Sequence, residues 1–259
     1  MVLQRLFVLP VLCFMAITSV ATAASASQFG CVPILLYHRF SATPEGEMTV
    51  TMPVFLEQLR ILREDGFKVI SLTDLLSELE KRDAGLPPKS VVITSDDGHI
   101  SVYQQMFPVI KRGRLPLTLF IYPSAISNAN YAMTWGQLEE MQKTGLVDIE
   151  SHSYWHPNFK IERRRLSPEA YRQFVQDQLQ RSREVLERKL GVRVNLLSWP
   201  FGIYDADLMQ AAKSAGYAAA VTIERRSVTV ADNLMALPRY IVTNDDTGAS
   251  FRHLLSCPR

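Results

Sequence analysis

The chain contains 259 residues, of which 47% are hydrophobic and 21% are charged, and its 28 lysines and arginines nearly balance 26 aspartates and glutamates. This composition excludes an intrinsically disordered chain, a collagen-like repeat and a multi-span membrane protein. The net charge of +2 also disfavours a polyanion binder, so no nucleic-acid partner is expected.

The N-terminal residues have the pattern of a secretory signal peptide. Arg5 precedes an apolar run over residues 6–20, and the small residues Ala21 and Ala23 follow at the spacing of a cleavage site. The apolar run is shorter than the ~20 residues that span a bilayer, which favours cleavage over an uncleaved anchor. We therefore expect residues 1–23 to be removed, no transmembrane segment to remain, and the protein to be periplasmic or secreted.

Two cysteines remain after this cleavage, Cys31 and Cys257. Because disulfides persist in exported proteins, we predict that the two cysteines pair. The alternative is two unrelated free thiols, since sequence alone does not place their Cα atoms within bonding distance. A bond would close a loop of more than 200 residues and would stabilise the fold by about 4 to 5 kcal/mol if it acts through the entropy of the unfolded chain.

Short apolar runs alternate with helical patterns along the rest of the chain. Strands are predicted over 32–37, 90–94, 117–121, 146–150, 195–199, 217–223 and 238–242, and helices over 53–65, 102–111, 135–143, 168–190 and 205–215. Continuous apolar strands that alternate with helices indicate a parallel sheet covered on both faces.

The predicted fold is α/β, namely a distorted (β/α) barrel with seven or eight parallel strands. An open, doubly wound sheet is the alternative, but no G-x-G-x-x-G motif follows the first strand, as a dinucleotide-binding fold would require. No repeat or linker divides the chain, so one domain is expected over residues 28–259. In a barrel of this kind the active site lies at the C-terminal ends of the strands.

Chemically active residues follow four of the predicted strands. Because the C-terminal ends of parallel strands form one face, we expect these residues to converge there. They are His38 after the first strand, Asp96 and Asp97 after the second, His152 and His156 after the fourth, and Pro200 and Phe201 after the fifth.

Two histidines and one carboxylate of this set would form a metal site. The four-residue spacing lets His152 and His156 face one side of a helical turn, which Pro157 would end. With Asp97 they would hold one divalent ion, Zn²⁺ first and Co²⁺ or Ni²⁺ as alternatives, with open positions for water and substrate. Asp96 would then take a proton from bound water, although spacing alone leaves open which aspartate has which role.

Each of these motifs has a simpler explanation when taken alone. Asp97-Gly98 fits a turn whose acidic residues cap the next helix, and the histidine pair fits a capping or surface role. Their occurrence together is what favours the metal site.

Three motifs in this order resemble the first three motifs of the polysaccharide deacetylase family, also described as the NodB homology domain or carbohydrate esterase family 4. They are Thr94-Ser95-Asp96-Asp97-Gly98, His152-Ser153-Tyr154-Trp155-His156 and Ser198-Trp199-Pro200-Phe201-Gly202. The resemblance covers nearly the whole mature chain. It implies a distorted (β/α) barrel and metal-dependent removal of acetyl groups from N-acetylated sugars.

The resemblance also implies roles for individual residues. Trp155, inside the second motif, is a further candidate for contact with a sugar ring. By the family pattern Asp96 would be the general base, Asp97, His152 and His156 the metal ligands, and Pro200 and Phe201 part of the wall around the acetyl group, with the Phe201 N–H a candidate oxyanion donor.

The sequence departs from the family pattern at three places. Ser198 stands where the third motif usually has an arginine that orients the catalytic aspartate, no tryptophan of the fourth motif is evident around residues 224–232, and residues 239–245 lack the histidine that many members use as general acid. The opening residues 32–40 resemble the branch with the poly-N-acetylglucosamine deacetylases, in which an early histidine is the candidate acid. Here that residue is His38, whose imidazole titrates near neutral pH; the alternative is a core histidine.

These observations predict a metal-dependent hydrolase that removes N-acetyl groups from an N-acetylhexosamine-containing polysaccharide and releases acetate. The acetylated polysaccharide is the predicted partner. Two alternatives remain, an O-acetyl esterase with the same site and a non-catalytic glycan-binding or assembly protein with the same fold.

Overall fold

The computed structural model of the protein describes residues 30–81 and 85–257. The predicted signal peptide, residues 1–23, lies outside the described residues. None of the helices within the described ranges has the length and apolar character needed to cross a bilayer.

Strands and helices mostly alternate along the described chain, and two short strands, the second and third, lie between the first strand and the first helix. The strands are β1 (Ile34–Tyr37), β2 (Arg39–Ser41), β3 (Thr49–Thr51), β4 (Lys68–Ile70), β5 (Ser90–Asp96), β6 (Leu117–Ile121), β7 (Val147–Ser151), β8 (Leu196–Ser198), β9 (Ala219–Val221) and β10 (Tyr240–Ile241). The α-helices are α1 (Met52–Glu64), α2 (Leu72–Lys81), α3 (Phe107–Gly113), α4 (Trp135–Lys143), α5 (Phe159–Arg165), α6 (Pro168–Leu190), α7 (Ala206–Ser214) and α8 (Gly248–Leu255).

One parallel sheet of eight strands forms the centre of the molecule. Its order is β10-β1-β5-β6-β7-β8-β9, with β4 paired to β5, and every one of these pairings is parallel. Leu237, just before β10, forms a parallel bridge to Val221 of β9. Residues 237–241 therefore pair with β1 on one side and with β9 on the other, which brings the two edges of the sheet together. The sheet thus curls into the distorted (β/α) barrel that the sequence predicts.

The burial of the central strands explains where polar chemistry can appear. All residues of β5 and β6 are buried, so a polar side chain within these strands needs a partner inside the protein. In barrels of this kind, sites are built at the C-terminal ends of the strands, where the loops begin.

The structure differs from the predicted elements in several places. The single helix predicted over 102–111 is a π-helix at Val102–Met106 that continues into α3. The elements β2, β3, β4, α2, α5 and α8 were not predicted. Leu72, Leu75, Leu76 and Leu79 of α2 are all buried, so its leucine spacing did carry a helical signal.

A disulfide bond joins Cys31 to Cys257, as the sequence predicts. Their Cα atoms lie 5.5 Å apart and the two residues are separated by 226 positions. The bond therefore ties the residues that precede β1 to those that follow α8. It stabilises the fold mainly by restricting the unfolded chain, by about 5 kcal/mol in the entropy treatment.

Glu150 joins two strands that share little backbone pairing. Strands β7 and β8 have one register pair, Ser151 with Leu197. The Glu150 carboxylate, which is buried, accepts hydrogen bonds from the backbone N–H groups of Asn195 at 2.9 Å and Leu196 at 2.8 Å. Burial raises the pKa of Glu150 to about 8, against the smaller opposite effect of these two hydrogen bonds.

We expect Glu150→Gln to reduce the loss of stability that accompanies rising pH. Because the folded-state pKa lies above the unfolded value of about 4.3, the folded protein holds the extra proton, and stability falls as pH rises from about 4.3 to about 8. Urea unfolding at pH 5 and pH 8 should show the wild type losing about 2 to 4 kcal/mol more than the variant.

The matched control is Glu80→Gln, which changes an exposed glutamate of α2. It should follow the wild type at both pH values. Equal pH dependence in the wild type and in Glu150→Gln would contradict the assignment of the proton to Glu150.

Candidate metal centre and active site

The turn after β5 separates two adjacent carboxylates. Asp97 has φ +74° and Gly98 has φ +71°, so two consecutive residues are left-handed. A Cβ on Gly98 would lie 2.9 Å from Ile121 Cδ1, so glycine is needed for both space and conformation. This turn leaves Asp96 buried at the end of β5. It brings Asp97 toward the loop of residues 152–156, here called the histidine loop.

The histidine loop is not the helical turn that the sequence predicted. Ser153 and His156 are left-handed, with φ of +62° and +63°, and the stretch between them is irregular. The His156 N–H donates to the Ser153 hydroxyl at 3.1 Å, which holds the bend. The two imidazoles nevertheless face each other, with ring centroids 4.5 Å apart, because the two left-handed residues reverse the chain.

Asp97, His152 and His156 meet, and their ligand atoms all lie within 4.8 Å of one another. Asp97 Oδ1 lies 3.6 Å from His152 Nε2 and 3.9 Å from His156 Nε2. His152 Nδ1 is 2.7 Å from the backbone carbonyl of Ser198. That carbonyl can only accept, so Nδ1 carries the proton and Nε2 keeps its lone pair for a metal ion.

The electrostatics of this group fit a divalent cation. Burial lowers the pKa of His152 to about 3 and the pKa of His156 below its usual range, so both imidazoles are neutral at pH 7. Burial, and then the charge of Asp96, raise the pKa of Asp97 to about 7. Two imidazoles with one carboxylate form a three-ligand set for Zn²⁺ or a similar ion, whose charge would compensate that of Asp97.

Asp96 is held by a buried arginine. The Arg239 guanidinium donates from Nη1 to Asp96 Oδ1 at 2.8 Å and from Nη2 to Oδ2 at 2.7 Å. The Ser198 hydroxyl donates to Oδ2 at 2.8 Å. Burial alone would raise the pKa of Asp96, but Arg239 and His152 outweigh it and hold that pKa well below its usual range. Asp96 is therefore an ionised carboxylate with a fixed orientation.

Arg239 is the residue of this site that the sequence analysis missed. Its side chain has no exposed surface, and its Nε and Nη1 also donate to the carbonyl of Thr222 and the hydroxyl of Thr94. A signal was present, because Arg239 lies inside the predicted strand 238–242, and a buried arginine needs an acidic partner. Arg239 therefore takes the place of the arginine that the family pattern has at position 198, although it lies 41 residues later. The Ser198 hydroxyl accepts a hydrogen bond from Arg239.

His38 lies beside Asp96 at the ends of neighbouring strands. Tyr37 of β1 pairs in register with Ser95 of β5, so the two following residues are adjacent. His38 Nδ1 is buried and has no hydrogen-bond partner among the described residues. Burial lowers the pKa of His38 to about 4, against the opposite effect of Asp96, so this imidazole is neutral at pH 7.

Aromatic side chains surround the metal group. Phe201 is 54% exposed and its ring centroid lies 4.5 Å from that of His156, while Pro200 beneath it is buried. Tyr122, which follows β6, lies 5.5 Å from His156 by the same measure; its position at a strand end could have identified it. Trp155 packs instead on Phe174 of α6 and is 43% exposed.

Fold and site together define a barrel hydrolase with a group of side chains able to hold a metal ion. Residues 83–220 match the sequence model of the family described as Polysaccharide deacetylase. The chain therefore belongs to the polysaccharide deacetylase family, as the three motifs indicate, and is a hydrolase of that family.

The chain is also similar to a known relative and to two solved structures. The chain is 26% identical over 222 residues to the poly-beta-1,6-N-acetyl-D-glucosamine N-deacetylase of Staphylococcus aureus, covering 83% of this chain and 74% of that protein. The deacetylase PplD of Streptococcus pyogenes has a TM-score of 0.77 at 21% identity, covering 87% of this chain and 98% of that one. IcaB from Ammonifex degensii has a TM-score of 0.74 at 24% identity, covering 88% and 98%. The two structures share the fold of this chain.

We expect Arg239→Lys to lower kcat/KM for deacetylation about 10- to 100-fold while bound metal is retained. Lysine keeps the charge but cannot bind both carboxylate oxygens. The pKa of Asp96 should rise, so activity should be lost at a higher pH when the solution is acidified. The measurement is kcat/KM against pH, together with metal content.

Arg225→Lys is the control, because this arginine lies close in sequence but is more than half exposed and pairs with Asp246. It should leave the pH profile unchanged. If Arg239→Lys lowered activity equally at every pH, Arg239 would support the fold without setting the state of Asp96.

Proposed function

We propose that the protein is an exported, metal-dependent N-deacetylase that removes acetyl groups from poly-β-1,6-N-acetyl-D-glucosamine and releases acetate. The observation that carries this proposal is the group of Asp97, His152 and His156 beside a second carboxylate, Asp96, that an arginine holds apart from it. The substrate is inferred from the relative in Staphylococcus aureus. The export is inferred from the N-terminal sequence pattern.

Asp97, His152 and His156 would hold the divalent ion, with Zn²⁺ first and Co²⁺ or Ni²⁺ as alternatives. When bound, such an ion lowers the pKa of a coordinated water and polarises a carbonyl oxygen. Asp97 follows β5 and His152 follows β7, so an acetyl group would approach these residues from the C-terminal face of the barrel.

Asp96 would accept the proton of the attacking water. Its Oδ2 atom lies 3.6 Å from His152 Nε2, as Asp97 Oδ1 does, but only Asp97 has a ligand atom within 4.8 Å of those of both histidines. Arg239 and the Ser198 hydroxyl fix both oxygens. A carboxylate that is fixed beforehand needs no reorientation during the reaction.

His38 would protonate the leaving amine. This imidazole is neutral at pH 7, so it first has to receive a proton, and the proton taken up by Asp96 beside it is a source. Pro200 and Phe201 would line the acetyl group, with the Phe201 N–H as a donor to the oxyanion. Trp155 would contact a more distant sugar, since it lies against α6.

The direct test is acetate release from poly-β-1,6-N-acetylglucosamine, with primary amines counted in parallel. We expect equal amounts of both, complete loss with a chelator and recovery with Zn²⁺. Asp97→Ala and His156→Ala should lose both bound metal and at least ~100-fold in activity, because the ion supplies several kcal/mol of transition-state stabilisation.

The other outcomes separate the remaining candidates. Acetate from an O-acetylated glycan without new amines would identify an esterase. Bound metal without acetate release from any glycan would identify a glycan-binding protein. Full activity in a metal-free sample would contradict the proposed chemistry.

We expect His38→Ala to keep its metal and to lose about 10²- to 10⁴-fold in kcat on the N-acetylated polymer, as loss of an acid catalyst does. An aryl acetate, whose leaving group needs no proton, should lose much less. His253→Ala, an exposed histidine of α8, is the control. Wild-type turnover of the polymer by His38→Ala would contradict this role.

A further inference from the structure

A polar groove of about 680 Å³ lies beside the histidine loop and outside the metal group. One wall is the loop between β6 and α4, and the other is the outward side of α6. Tyr154, between the two histidines in sequence, forms part of its lining together with Trp135. The mechanism proposed above uses none of these residues.

A cationic side chain contacts each of the two aromatic rings in this groove. The Arg181 guanidinium carbon lies 4.0 Å from the ring centroid of Tyr154, and Lys189 Nζ lies 5.9 Å from that of Trp135. Such contacts fix the rings and leave the remaining N–H groups of each cation free to donate. Apolar ring surface next to hydrogen-bond donors suits a sugar, which has an apolar C–H face and a rim of hydroxyl groups.

The charges in the groove are mixed in sign, and one of them, Asp177, accepts a hydrogen bond from Gln173 Nε2 at 3.0 Å. Asp177 and Glu184 supply acceptors, while Arg181, Arg188 and Lys189 supply donors. None of these five forms an ion pair within the described part of the chain, although other charges of the same helix do, such as Arg183 with Glu187. A site for an anion would offer donors alone. Donors together with acceptors fit an uncharged ligand rich in hydroxyl and amide groups.

The groove is connected to the metal group by direct contacts. The Ser124 N–H donates to the Tyr154 carbonyl at 3.1 Å, which joins the β6–α4 loop to the histidine loop. Ile126 of the same loop contacts the Gly98 turn. Tyr154 is two residues from His152, about 8 Å of chain at most. The groove and the metal group are therefore built on the same neighbouring loops.

We propose that this groove binds uncharged N-acetylhexosamine units of the polysaccharide beyond the unit that carries the reacting acetyl group. The inference rests on the proposed function, because it assigns the same polymer to both sites. Binding energy from remote sugars then favours long chains over short ones.

The test compares Arg181→Ala/Arg188→Ala with the wild type on poly-β-1,6-N-acetylglucosamine and on the N-acetylated disaccharide of the same linkage. We expect kcat/KM for the polymer to fall about 5- to 10-fold, mainly through KM, because two groove donors are lost. The value for the disaccharide, which is too short to fill both the groove and the reaction site, should stay within twofold. Metal content should not change.

The matched control is Arg172→Ala, an exposed arginine of α6 outside the groove that pairs with Glu169. It should match the wild type on both substrates. Equal losses on polymer and disaccharide, or no loss on either, would overturn the proposal. Stronger inhibition by a sulfated glycan than by the neutral polymer in the wild type would also overturn it, because it would identify an anion site.

A binding experiment separates this proposal from the proposed function. If the wild type released no acetate from either substrate, the proposed function would fail. Electrophoresis through gels containing the neutral polymer would still report on the groove. We expect the polymer to retard the wild type more than Arg181→Ala/Arg188→Ala, relative to polymer-free gels. Equal retardation of the two proteins would overturn the groove assignment.

Discussion

The buried ion pair between Arg239 and Asp96 is the interaction on which the rest of the site depends. It joins the end of β5 to the start of β10, two strands that both flank β1. Two charges out of water gain little net stability, but removal of one would leave the other uncompensated. The main effect of the pair is therefore geometric, because both carboxylate oxygens of Asp96 are occupied and face a fixed direction.

This ion pair gives two neighbouring aspartates different properties. Arg239 compensates the charge of Asp96, whereas Asp97, next in sequence, has no such partner and its pKa is raised to about 7. The left-handed turn at Asp97 then directs the uncompensated carboxylate to His152 and His156. A divalent ion at this position would supply the missing positive charge. The same turn and the same ion pair thus give one compensated and one uncompensated carboxylate at adjacent positions.

Local patterns predicted most of the fold, and contacts distant in sequence were the part that they could not predict. Helix α6 and the buried strand β5 follow from periodicity and apolar runs. The loop from His152 to His156 was predicted as helical, because its spacing gives no sign that two non-glycine residues are left-handed. Arg239 was missed because its partner lies 143 residues away, across a sheet whose order the sequence does not state.

The most direct test of this account is anomalous diffraction at the zinc edge from crystals of the protein soaked in Zn²⁺. The account predicts one peak within coordination distance of Asp97, His152 and His156, with Asp96 still bound to Arg239 through both oxygens. A peak bridged by both aspartates, or a metal bound by Asp96 after the Arg239 pair has opened, would contradict it.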